Sequence, residues 1–88
     1  MKIIGKRVLL KTEKEYMKGP DKKVMVDENG REMYDFKREA LVMQSNMEGV
    51  KKGDVVYFNP YGAVKIDSQE TKKVLVLVVD AREVCAIV

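Results

Sequence analysis

A chain of 88 residues makes one domain, residues 1–88, near the lower limit for a single hydrophobic core, and oligomerisation is one of the usual remedies for so thin a margin. With no His and a single Cys, Cys85, it cannot build a zinc cluster, an internal disulfide framework or a His-based catalytic site. The net charge is +3, and Lys and Arg alternate with Asp and Glu along most of the length, the pattern of a solvated mixed-sign surface rather than of a concentrated nucleic-acid footprint.

MKIIGKRVLL has a very short apolar stretch and no small-residue cleavage site, and does not read as a signal peptide. Ile3 to Lys11 is rich in aliphatic residues and predicts a first strand, weakened at Gly5. Thr12 to Arg38 is polar, holds Gly19-Pro20 and Asn29-Gly30, and is too long for an ordinary connection. Ala40 to Met43 and Val55 to Phe58 predict short strands, and Ala63 to Ile66 alternates weakly. Val74 to Val79 is continuously apolar, as expected of a strand covered on both faces, and far too short to cross a bilayer. Asp80 to Glu83 predicts one helical turn, and Val84 to Val88 a closing apolar strand that needs cover. Short strands without a long amphipathic helix predict an all-β barrel or sandwich. No internal repeat is visible. The expected compartment is the cytoplasm, with no membrane partner.

Chemistry is hard to find. Cys85 in VCAIV reads as an inert buried thiol. Ser45 and Ser68 stand alone, no Gly-rich run opens a helix, and the carboxylates sit among Lys and Arg. No enzyme activity and no cofactor or metal are expected. Lys52-Gly53-Asp54 leading into VVYF is a turn feeding a strand. The apolar island Val24-Met25-Val26 has two readings. It is one arm of a hairpin turning at Asn29-Gly30, with Glu28 facing Arg31, Val26 facing Met33 and Asp27 facing Glu32. Alternatively it is an exposed anchor that orders against a partner's groove. A loose hairpin could also present the anchor.

VKKGDVVYFNPYGAVKID, then KKVLVLVVDAREVCAIV, resembles the C-terminal half of GroES-type co-chaperonins. The shared features are Val50, Gly53-Asp54, Val56, Phe58-Asn59, Tyr61-Gly62, Val74-Leu75 and the closing Ala86-Ile87-Val88. IIGKRVLLKTEKE is similar to that family's first strand. The resemblance implies a small GroES-like β-barrel assembling into a homo-oligomeric, seven-fold ring, with first and last strands pairing between neighbours through Ile3, Ile4, Val8, Cys85, Ala86, Ile87 and Val88. It implies a long mobile loop, about residues 16–35, whose tripeptide Val24, Met25 and Val26 binds a GroEL-type chaperonin ring over an encapsulated client protein. Lys22-Lys23 stand where the family has Gly-Gly, and MQSNMEG stands in place of a roof hairpin. In lacking the roof the chain resembles virus-encoded members, which would place it in a host cytoplasm. Two alternatives remain at this point. One is a structural ring or virion component with the same fold. The other is a small-barrel nucleic-acid binder using Tyr57, Phe58, Tyr61, Lys51 and Lys52.

Overall fold

The computed structural model describes residues 1–88. The chain is all-β: β1 (Arg7–Tyr16), β2 (Tyr34–Phe36), β3 (Glu39–Ser45), β4 (Val55–Phe58), β5 (Val64–Lys65), β6 (Val74–Asp80) and β7 (Val84–Ile87), with 3-10 turns at Asp67–Gln69 and Ala81–Glu83. They form one antiparallel sheet in the order β5-β6-β1-β3-β4-β7, and β2 pairs with the far end of β1. No helix is long and apolar enough to cross a membrane.

The first strand lies further along than its aliphatic residues suggest. Gly5 takes a left-handed φ of 77°, a conformation cheap only for glycine, and turns residues 1–6 out of the sheet. β1 then runs on through the charged KTEKEY, because both its edges are paired: Arg7–Glu13 with β6, Val8–Lys11 with β3 and Lys14–Tyr16 with β2. Backbone pairing outweighs side-chain polarity here. Thr12 is the buried polar residue of the sheet, and its hydroxyl donates between the carbonyls of Lys37 and Glu39 at 2.7 and 3.0 Å. That bond closes the gap between β2 and β3.

Alternation along β1 and β6 sends side chains to both faces, and both faces are covered. Val8, Leu10, Leu75, Leu77 and Val79 join Ala40, Val42, Val50, Val56 and Phe58 in the main core. Leu9, Val76 and Val78 form a second cluster with Ile3, which reaches them from the N-terminal arm. This explains the unbroken VLVLVV. The arm is tied down by Asn46, whose Nδ2 donates to the Ile3 and Gly5 carbonyls at 3.0 Å, and by Gln44, whose Nε2 donates to the Met1 carbonyl at 2.6 Å.

The radius of gyration is 14.2 Å and the extents are 46 × 25 × 20 Å; a compact chain of this length would measure about 12 Å. The molecule is therefore drawn out along one axis, and the long polar connection between β1 and β2 leaves the sheet at the end of β1.

Candidate functional site

Residues 17–33 fold into two successive hairpins of one design. In the first, the Gly19 N–H donates to the Lys23 carbonyl and the Lys22 N–H back to Gly19, with Lys18 bridged to Val24. In the second, the Asp27 N–H donates to Arg31 and the Gly30 N–H to Asp27, with Val26 bridged to Glu32. Each is a three-residue loop closed by a residue in the left-handed region: Lys22 at φ 64° and Gly30 at φ 75°. The second hairpin was expected to turn on two residues at Asn29-Gly30. That turn would need a positive φ at Asn29 as well, and Asn29 does not adopt one. The register slides by one, so Asp27 faces Arg31 and Glu32 faces Val26, and the carboxylate repulsion is avoided. Asp27 Oδ1 also accepts from the Asn29 and Arg31 N–H groups at 2.9 and 3.0 Å.

The hairpins meet the β1–β2 ribbon at a closed triangle of backbone bonds. The Met25 N–H donates to the Met17 carbonyl, Met33 to Met25, and Met17 to Met33, at 2.8, 2.8 and 3.0 Å. Three antiparallel arms leave this ring, marked by the pairs Lys18–Val24, Val26–Glu32 and Tyr16–Tyr34. Advancing by eight residues carries Lys18–Val24 onto Val26–Glu32, and the same step counted cyclically over the three eight-residue units carries that pair onto Tyr34–Tyr16 and this one back onto Val24–Lys18: a pseudo-threefold repeat. It escaped the sequence because apart from the methionines at 17, 25 and 33 the units share almost no residues. Only backbone geometry repeats.

Adjacent strand residues point to opposite faces, so Val24-Met25-Val26 does not present a single surface. Met25 shares a face with Gly19, since its Cγ lies 3.9 Å from where a Gly19 Cβ would stand. Met25 and Val26 are 45% and 57% exposed, and Val24 is half-buried.

The base of this lobe is fastened to the sheet by charge. Glu70, in the turn before β6, pairs with Lys14 through one carboxylate oxygen and with Lys65 through the other, the second at 3.2 Å. The Tyr34 hydroxyl donates to the same carboxylate at 3.2 Å, and the Lys14 ammonium lies 4.6 Å from the Tyr34 ring centroid. Burial pushes the Glu70 carboxyl up, but Lys14 and Lys65 outweigh it and hold it below the usual carboxylate range. Tyr34 first, then Glu70, holds the Lys65 ammonium above its ordinary value. Tyr16 adds a hydroxyl bond of 2.6 Å to the Lys72 carbonyl. None of these roles was legible beforehand, because the four chain segments meet only in the fold.

The residues expected between subunits divide in two. Val8 is wholly enclosed in this chain's own core, and Ile3, on the N-terminal arm, is buried against Leu9, Val76 and Val78, so neither side chain is free to face a neighbour. Ile4, Cys85, Ala86, Ile87 and Val88 are all exposed. β7 pairs with β4 on one side and ends the sheet order, so its other edge is open. Cys85 was expected to be buried; it is exposed because nothing covers the outer side of this terminal strand. Beside it runs an apolar groove lined by Met47, Val50, Val84, Ala86 and Ile87. At the other end of the sheet order Met1, Ile4 and Val64 form a second exposed apolar patch. Of the aromatics considered for base stacking, Phe58 is buried and stacks on Phe36 at 6.3 Å between centroids, while Tyr57 and Tyr61 are exposed.

The chain matches no family model, no curated protein and no solved structure in these comparisons.

Proposed function

We propose that the chain is a co-chaperonin of the GroES type, working as a homo-oligomeric ring, seven-fold by resemblance, that caps a GroEL-type chaperonin and closes a chamber around a client protein during ATP-dependent folding in the cytoplasm. The observation that carries this reading is the lobe at 17–33, which leaves the sheet and holds half-exposed Met25 away from the core. The two apolar ends of the sheet order support the ring. An open β7 edge on one copy and the N-terminal arm with Val64 on the next make a head-to-tail contact, which closes into a ring when the rotation allows. A single lobe in a groove is a weak contact, and several on one ring raise avidity by about 10²–10⁴.

Native mass spectrometry of the protein alone, then with a chaperonin and ATP, tests this. A ring that joins the chaperonin only with nucleotide supports the reading, and Met25→Asp then abolishes capping while the ring persists. A stable monomer overturns it. A second reading, a structural ring or virion component, is favoured by one specific observation: residues 17–33 are hydrogen-bonded into a fixed frame rather than left as a loose tether. A ring that ignores chaperonins and joins a larger particle supports that alternative.

A further inference from the structure

The pseudo-threefold triangle has a consequence for what a partner touches. A three-fold operation keeps each side chain on its own side of the ring, so Met17, Met25 and Met33 share one face. Gly19, whose missing Cβ would meet Met25 Cγ, lies on that face too. Val24 and Val26, one step away in the strand, belong to the opposite face. That is the side on which Tyr16 and Tyr34 reach the body of the protein through Lys72 and Glu70. Met17 and Met25 are 43% and 45% exposed, and Met33 is half-buried. An apolar hub with charged neighbours around it is the anatomy of a docking surface, and flexible thioethers suit a groove of irregular shape.

Charge selects the partner. Within residues 17–33, Lys18, Lys22, Lys23 and Arg31 balance Asp21, Asp27, Glu28 and Glu32, so four positive and four negative charges cancel. A polyanion or an acidic membrane gains nothing from such a surface. A projecting, neutral, methionine-centred lobe fits an apolar groove on a protein.

We propose that the lobe docks through its methionine face: Met17, Met25 and Met33 enter the apolar groove of the partner chaperonin, and Val26 stays outside it. This rests on the co-chaperonin reading. It adds Met17 and Met33, which lie outside the tripeptide, and removes Val26. The test is chaperonin binding with ATP, read by native mass spectrometry and sedimentation, for the wild type, Met17→Gln, Met33→Gln and Val26→Asp. Glutamine keeps the length of methionine and the backbone triangle, and amide hydrogen exchange at Met25 and Met33 checks that the lobe stays folded. Met17→Gln and Met33→Gln should each weaken ring binding about tenfold or more, while Val26→Asp stays within about threefold of wild type, a free-energy change too small for a side chain seated in a groove. Loss of binding in Val26→Asp, with both glutamine variants near wild type, overturns the face assignment alone. A wild-type ring that binds no chaperonin overturns the co-chaperonin reading and this inference with it.

Discussion

Replacing Glu70 by Gln removes one negative charge from a place where two ammonium groups depend on it. The Lys14 side chain is 6% exposed and Glu70 18%, so this is a largely desolvated pair. Breaking such a pair from one side costs about 3–5 kcal/mol when nothing replaces the lost partner. Here the Gln carbonyl still accepts from Lys14 and Tyr34, the Tyr34 ring still faces the ammonium, and some water reaches Glu70, which together bring the expected loss to about 2 kcal/mol. At about 2.1 cal/mol/K per residue, 88 residues unfold with roughly 0.18 kcal/mol/K, so Tm should fall by about 11 °C. The pH dependence has a definite sign. A carboxyl held below its ordinary value of 4.5 stabilises the fold above that pH, and the contribution disappears as pH falls through the depressed folded value. Glu70→Gln should therefore flatten the acid limb of the stability curve. Urea titration and calorimetry at one fixed protomer concentration measure both effects. Adding Lys14→Met should return much of the loss, since an apolar replacement for a buried ion pair is often neutral. A Glu70→Gln loss under about 0.5 kcal/mol, or a double variant whose losses simply add, would refute the assignment of Glu70 as the clamp of the lobe.

The two hairpins offer a matched comparison at their left-handed positions. Lys22→Gly should stabilise by about 0.5 kcal/mol, and Gly30→Ala should destabilise by about 1 kcal/mol, because a non-glycine residue is strained there. A Cβ at Gly30 meets nothing within 4 Å, so no steric clash obscures the second value; chemical denaturation with amide exchange at Asp27 and Arg31 reads it. Asn46→Ala removes both side-chain bonds to the N-terminal arm and should cost about 1–2 kcal/mol, with faster exchange at residues 3–7 and earlier proteolysis there. The exposed Cys85 thiol should react readily with a maleimide in dissociated protein and become protected on ring assembly; equal rates in both states would remove β7 from the interface.

Strand placement was legible wherever side-chain chemistry and burial agree. Val55–Phe58 and Val74–Asp80 follow their apolar runs, and the continuous hydrophobicity of the latter correctly announced cover on two faces. Sequence was less informative where backbone pairing decides. KTEKEY is strand because β6 and β2 flank it, and no residue type in it says so. Tyr34–Phe36 was hidden inside a stretch judged by its charge. The island at 24–26 was visible, and its reading as a hairpin arm held with the register shifted by one residue. Its division between two faces was not visible, nor was Glu70, whose partners come from β1, β2 and β5.

The closed ring of amides also makes the length of this insertion quantised. Met33 occupies, on one side of the ring, the place that Met25 would hold in an ordinary two-stranded ribbon. Excising residues 25–32 would join Val24 directly to Met33. The pairs Tyr16–Tyr34 and Lys18–Val24 would then fall into one continuous register, with Met17 opposite Met33 between them. A three-way branch would become a plain hairpin without disturbing any strand of the sheet. The reach of the insertion can therefore be changed in steps of one eight-residue hairpin while the sheet keeps its register.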